Sequence, residues 1–179
     1  MCGITGFLGG EKSYDLNDSS PIINSMLNKI HHRGPDDHGY WSDSHKGVNL
    51  GHKRLSILDL SQSGHQPMHS ISKRYIVVFN GEIYNHIKLR QELIKENKSS
   101  NWLGTSDTET LLAGFDAWGI EKTINNCIGM FSLAIWDKAN KTLNLIVDRI
   151  GEKPLYYGWQ GKGKGKTFLF GSELKALKE

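Results

Sequence analysis

Cys2 is the residue in this chain whose place most invites chemistry. It follows Met1 and precedes Gly3 and Ile4, and an initiator methionine is ordinarily removed when the next side chain is small. Maturation would leave Cys2 first, with a thiol and a free α-amine on one carbon framework. A thiol is a good nucleophile only as the thiolate, and an α-amine titrating near pH ~8 can take its proton directly or through one water. Such a nucleophile carries its own base and needs no histidine partner. The alternative is a small cysteine that merely lies near a terminus, since buried cysteines are common. Position alone leaves both open.

Three further stretches carry groups that could serve such a thiol. Tyr75-Ile76-Val77-Val78-Phe79 is apolar throughout, which predicts a strand buried on both faces, and it runs into Asn80-Gly81-Glu82. A side-chain amide and a flexible backbone N–H at the end of a buried strand could form an oxyanion hole, which needs two rigid donors about 3 Å from the developing charge. Asn-Gly is equally a hairpin turn, although the helical spacing of Ile87, Leu89, Arg90, Leu93 and Ile94 just beyond fits a two-residue hairpin poorly. Arg54, within Gly51 to Leu60, is either a surface charge or a planar, two-pronged partner for a carboxylate. Ser106 and Glu109 fit a capping box, and Asp107 between them suits the first turn of a helix while remaining able to accept an ammonium group.

The run from His31 to Gly39 is dense in histidine and aspartate, so a metal site must be considered. Its spacing matches none of the paired-ligand signatures, such as two histidines one helical turn apart. Gly34-Pro35 marks a tight turn, and Arg33 before it is placed to organise the loop that covers the thiol.

These groups must be positioned by the elements around them. Gly3 to Leu8 alternates small and apolar residues and reads as a short strand ended by Gly9-Gly10, with Cys2 at its tip. After Pro21, the residues Ile22, Ile23, Met26, Leu27 and Ile30 recur at helical spacing up to about His31. Tyr40-Trp41 and Val48 to Leu50 suggest two strands joined by Ser42 to Gly47, and Gly64 to Met68 reads as a loop. Leu111, Leu112, Phe115 and Trp118 predict a helix after Ser106. From Gly129 the pattern is again β, over Met130 to Trp136, Leu143 to Val147, Leu155 to Trp159 and Thr167 to Phe170. Ser172 to Leu177 then begins a terminal helix. Strand, helix, a group of strands, two helices, four strands and a helix suit an α+β fold of two mostly antiparallel sheets, with helices on their outer faces and the first strand buried.

Composition sets the outer bounds. With 179 residues, 37% of them hydrophobic and 23% charged, the chain is long enough for one domain with a sizeable core. The net charge of +3 owes much to Lys162-Gly163-Lys164-Gly165-Lys166, which reads as a solvated hairpin turn; with no interleaved aromatics or basic helix beside it, nucleic-acid binding is not expected. Two cysteines indicate no disulfide framework and suit a reducing compartment. The absence of a signal-type start and of any apolar run near the ~18 residues that span a membrane makes the cytoplasm the default location, without membrane association.

Eight stretches in one order carry a resemblance: Met1 to Ile4, His32-Arg33-Gly34-Pro35-Asp36, Arg54 to Asp59, Gln66-Pro67-Met68, Phe79 to Asn85, Ser106 to Glu109, Gly129-Met130-Phe131 and Asp148 to Tyr157. Together they resemble the N-terminal glutaminase domain of glutamine-hydrolysing asparagine synthetases, which are class II glutamine amidotransferases with the four-layer αββα sandwich of the N-terminal-nucleophile hydrolases. The resemblance implies that residues 1–179 form one such domain and that Cys2 attacks the side-chain amide of L-glutamine. It implies that Asn80 and the Gly81 N–H hold the oxyanion, Arg54 the α-carboxylate, and Glu82 and Asp107 the α-ammonium, with Leu55, Ile57 and Leu58 lining the substrate.

No metal or organic cofactor is implied for this half-reaction. In the family, ATP and magnesium belong to a following synthetase domain with a Ser-Gly-Gly-x-Asp-Ser loop, and no such loop occurs in these 179 residues. The expected partner is therefore an ATP-dependent synthetase domain or subunit that receives ammonia, with aspartate the first acceptor to consider and other carboxylates, sugar acids among them, the alternative. A domain that keeps the fold but only binds glutamine or a partner, without turnover, is the competing expectation.

Overall fold

Alternation along the first strand sets the layering of the whole molecule. In the computed structural model, which describes residues 1–9, 20–56, 64–98 and 101–178, strand β1 spans Gly3–Leu8. Ile4 and Leu8 face one apolar core while Phe7 faces another, as period-2 geometry requires. Helix α1 (Ser20–Lys29) packs on the Phe7 side through Ile23, Met26 and Leu27. Strands β2 (Asp37–Asp43) and β3 (Val48–Arg54) form an antiparallel hairpin against β1. The remaining members of this first sheet are β8 (Tyr156–Gln160) and β9 (Thr167–Gly171), giving the order β2-β3-β1-β9-β8 with β1 at its centre.

The second sheet has the order β4-β5-β6-β7, built from Met68–His69, Tyr75–Ile83, Gly129–Asp137 and Thr142–Val147. Its strands also pair antiparallel. Ile76 and Val78 on β5 join Ile4, Leu50 and Phe170 in a core between the sheets, whereas Val77 and Phe79 turn to helices α2 (His86–Lys95) and α3 (Asp107–Trp118). Three cores between helix, sheet, sheet and helix make the expected αββα sandwich. Ile76, Val77 and Val78 are each 0% exposed, and at ~1.5–3 kcal/mol per buried aliphatic side chain they make β5 a main stabilising strand.

Several local expectations are corrected. Asn80-Gly81-Glu82 does not follow β5 but lies inside it, because the ladder with β6 continues through Gly81 and Phe131 to Ile83 and Gly129. A Cβ on Gly81 would sit 2.2 Å from the Met130 carbonyl oxygen, so glycine permits that close pairing. Strand β3 likewise runs on past Leu50, where the sequence pattern ends it, to Arg54. Met68–His69, at the end of a stretch read as loop, is a two-residue strand too short for any pattern to mark.

Among the described residues three helices, not two, separate β5 from β6. The unforeseen one is α4 (Ile120–Asn126), seven residues that start directly after Gly119 at φ +82° with no side-chain cap. The capping box at Ser106 is only half formed. Ser106 Oγ accepts the Glu109 N–H at 3.3 Å, but the Glu109 carboxylate instead takes the N–H groups of Leu103 and Gly104 and a proton of Arg90.

No helix begins at Ser172 either. Its N–H donates to the Ile4 carbonyl at 2.8 Å and its Oγ accepts the Ile4 N–H at 3.0 Å, so it extends the β1–β9 contact, and only a short 3-10 turn follows at Leu174–Lys178. Lys162 to Lys166 occupies the β8–β9 turn as expected, between the paired residues Gln160 and Thr167.

Candidate active site

Polar residues take over the inter-sheet alternation at one end of the sandwich. Two residues before Ile4 comes Cys2; two and four after Leu50 come His52 and Arg54; two and four after Val78 come Asn80 and Glu82. Period-2 geometry therefore aims all five side chains into the space between the sheets. They line a cavity of about 140 Å³ together with Leu55, Gly81 and Asp107, roughly ten times what a single water needs. The structure thus brings Cys2, Arg54, Leu55, Asn80, Gly81, Glu82 and Asp107 to one place. Ile57 and Leu58 lie outside the described residues.

Cys2 is held by its backbone and by a neighbouring strand. Its Sγ accepts the Leu55 N–H at 3.4 Å and lies 3.6 Å from the Leu55 carbonyl oxygen, to which the thiol can donate. Arg33 Nε–H donates to the Cys2 carbonyl at 3.0 Å, and the same guanidinium donates to Glu173 at 3.1 Å. The rest of the His-Arg-Gly-Pro-Asp stretch braces the end of β3. Asp36 donates its N–H to the Arg54 carbonyl and accepts the Ser56 N–H on its carboxylate. A Cβ on Gly34 would lie 2.4 Å from the Lys53 carbonyl carbon. This stretch is scaffold, and among the described residues no group of three His, Cys, Asp or Glu is arranged to hold a metal ion.

Glu173 ties the brace together by receiving Arg33, His32 and Lys175. Burial works to raise its pKa, but the hydrogen bonds from Lys175, Arg33 and His32 outweigh it and hold the carboxyl at about 2, below the ordinary 4.5. A depressed carboxylate stabilises the fold above its unfolded-state pKa and loses that contribution as pH falls from 4.5 towards about 2. Glu173→Gln is therefore expected to lower stability by about 1–2 kcal/mol at pH 7. In urea melts across pH, wild type should approach the variant below pH 3; a constant difference down to pH 2 would contradict the ion-pair account.

The edge of β5 beyond the short β4 presents backbone groups to the cavity. The Phe79 N–H donates to Gln66 Oε1 at 2.6 Å and the Ile83 N–H to Asp107 Oδ2 at 2.9 Å. Backbone direction alternates along an antiparallel strand, so the Gly81 N–H, midway between them, points to this same edge and the cavity that Gly81 lines. Asn80 is 1% exposed, and its Nδ2 is buried without a hydrogen-bond partner. An unpaired buried donor costs about 1–3 kcal/mol. Both donors belong to residues that line the cavity.

Charge in the cavity is mixed. Arg54 and Lys153 supply cations, Glu82 and Asp107 carboxylates. Burial pushes the Asp107 carboxyl above its ordinary value despite the stabilising Ile83 N–H. Lys153 Nζ reaches Met1 Sδ at 3.3 Å, and Met1 forms part of the rim. Among the cavity residues that sequence reasoning missed are His52, Gln66 and Lys153. The alternation Leu50, His52, Arg54 was a usable signal for the first of these; the other two depend on loops folding back.

A family model described as the glutamine amidotransferase domain matches residues 1–179. The chain is 38% identical over 179 residues to asparagine synthetase [glutamine-hydrolyzing] 3 of Bacillus subtilis, covering 99% of this chain and 27% of that protein. It is 41% identical over 177 residues to asparagine synthetase [glutamine-hydrolyzing] 1 of the same organism, with 99% and 26% covered. The chain thus spans about a quarter of the length of these relatives. Among solved structures, glutamine phosphoribosylpyrophosphate amidotransferase from B. subtilis superposes with a TM-score of 0.78 at 22% identity, covering 99% of this chain and 43% of that one. At that identity the likeness concerns the fold alone. No helix among the described residues is long and apolar enough to cross a membrane.

Proposed function

Because this chain belongs to the glutamine amidotransferase domain family, we propose that it hydrolyses the side-chain amide of L-glutamine to glutamate and ammonia, with Cys2 as the nucleophile. The observation that carries this is the convergence of the Cys2 thiol, the unpartnered Asn80 Nδ2 and the Gly81 N–H on a cavity with both signs of charge.

Removal of Met1 frees the Cys2 α-amine, which takes the thiol proton while the Leu55 N–H stabilises the resulting thiolate. The sulfur attacks the amide carbon, and the carbonyl electron pair moves onto oxygen. Asn80 Nδ2–H and the Gly81 N–H receive that oxyanion, an arrangement in which one donor is worth ~100-fold or more in rate. The protonated amine then gives its proton to the leaving nitrogen as the carbon–nitrogen bond breaks. Ammonia departs and a γ-glutamyl thioester remains on Cys2. Water, deprotonated by the same amine, cleaves the thioester to glutamate and restores the thiol. Thiol, amine and amide donors supply every group these steps need, so the half-reaction calls on no metal or organic cofactor.

Arg54 pairs with the substrate α-carboxylate in this reading, and Glu82 and Asp107 with its α-ammonium, while Leu55 and the backbone of Ile57 and Leu58 line its side chain. Ammonia would pass to an ATP-dependent synthetase domain or subunit. The likeness to asparagine synthetases favours aspartate as acceptor.

Substrate analogues test the charge assignment. L-glutamine should be turned over at least ~100-fold more efficiently, in kcat/KM, than either N-acetyl-L-glutamine or the α-amide of L-glutamine, because each analogue leaves a site charge unpaired. Comparable turnover of all three would overturn the assignment. Tight binding of L-glutamine with no glutamate release from Met1-free protein would favour a binding module instead.

A further inference from the structure

We propose that His52 is a positioning residue for the oxyanion site: its imidazole, as the Nε2–H tautomer, pins the Phe79–Asn80 peptide across the gap between the two sheets and so fixes where the Asn80 carboxamide points. This rests on the reading of Cys2 as nucleophile and Asn80 as oxyanion donor.

His52 Nε2 lies 3.1 Å from the Phe79 carbonyl oxygen. A carbonyl only accepts, so Nε2 carries the hydrogen and Nδ1 is left as a bare acceptor. That Nδ1 is buried with no hydrogen-bond partner, and the residue is 1% exposed. Burial pushes the pKa of this histidine down to about 3, which agrees with a neutral ring. Because Nδ1 makes no hydrogen bond, to the Cys2 thiol included, and burial makes the ring a weak base, the imidazole does not relay the thiol proton. Its contribution is geometric.

The two sheets meet near the site through aliphatic side chains such as Ile4, Leu50 and Val78. Dispersion contacts of that kind are non-directional and tolerate small slides, whereas a hydrogen bond fixes both distance and angle. His52 stands opposite Ile4 in the β1–β3 pairing, two residues from Cys2 along β1. Its bond to β5 therefore links the strand pair that carries the nucleophile to the strand that carries the donors.

The far atom of the same residue is gripped too, since the Phe79 N–H donates to Gln66 Oε1. With both backbone groups of Phe79 held by side chains, Asn80 follows from a fixed peptide. An apolar residue of similar size at position 52 would avoid the unpaired Nδ1. What the histidine supplies in exchange is the hydrogen bond to the Phe79 carbonyl, which an apolar residue could not make.

The test uses Met1-free protein as wild type, His52→Leu and His52→Gln, since a glutamine Nε2 can donate from nearly the place of the imidazole Nε2. His52→Leu is expected to lose roughly tenfold to a hundredfold in kcat for L-glutamine with KM within about twofold, the pattern of a misplaced catalytic group. His52→Gln should recover most of that loss. In wild type at pH 7, ¹⁵N spectra of the imidazole should show the neutral Nε2–H tautomer. Wild-type kcat in folded His52→Leu, no advantage of Gln over Leu, or an Nδ1–H or doubly protonated ring in wild type would each overturn the proposal. Should His52→Leu fail to fold, the glutamine variant and the spectrum decide. Absence of glutamate release from wild type would bring down the nucleophile reading and this inference with it, while normal wild-type turnover with failed His52 outcomes would remove only the inference.

Discussion

Cys2→Ala is expected to release no glutamate above background, a loss of at least ~10⁴-fold in kcat, as removal of a nucleophile gives elsewhere. Its stability should stay within about 1 kcal/mol of wild type. The reason for the separation is local. Among the described residues the thiol hydrogen-bonds to the backbone of Leu55, and the clamp from Arg33 grips the Cys2 carbonyl, which alanine keeps. The second thiol cannot substitute. Cys127 is fully buried, donates to the Thr123 carbonyl at 3.2 Å, and is pushed up to about 12 by burial. Iodoacetamide should therefore label Cys2 alone in the folded protein. Glutamate assays and urea melts on both proteins check the prediction; residual turnover above a hundredth of wild type would contradict it.

Asn80→Ala should lower kcat by ~10²–10³-fold with little change in KM, because its Nδ2–H acts on charge that develops only in the transition state. Stability should move the other way. Asn80 Nδ2 is buried without a partner, so its removal relieves a desolvation cost, and the variant is expected to be as stable as wild type or more stable by up to about 1 kcal/mol. A residue kept for packing would lose stability on truncation and leave kcat alone. Asn80→Asp should be at least as inactive, since a carboxylate would face the oxyanion. Equal losses in stability and activity for Asn80→Ala would assign it to structure.

Much of the fold was legible because its signals are local. The alternation of Gly3 to Leu8, the helical spacing of Ile23, Met26 and Leu27, and the doubly buried run from Ile76 to Val78 each state their own surroundings, and the two sheets and outer helices follow. The candidate site was legible in composition but not in construction. Asn-Gly looks like a turn on its own; what keeps Asn80 and Gly81 in β5 is the pairing with Ser132 and Phe131, some fifty residues on. Ser172 reads as a helix start, yet Ile4 claims both its N–H and its Oγ. Glu173 joins Arg33 across 140 positions, and no window of sequence contains both. His52 was passed over because the strand from Val48 was read only as far as Leu50, which cut off the alternation that carries His52 inward, and its partner Phe79 lies 27 positions on.

The identity of the nucleophile can be read directly as a covalent adduct. Met1-free protein would be mixed with L-glutamine, quenched in acid within the first turnovers, and its N-terminal peptide weighed beside that of an unreacted sample. The account predicts that the peptide beginning at Cys2 gains the mass of one γ-glutamyl group, and that hydroxylamine removes it as a thioester requires. Glutamate release with no adduct on that peptide, or an adduct on any other residue, would contradict it.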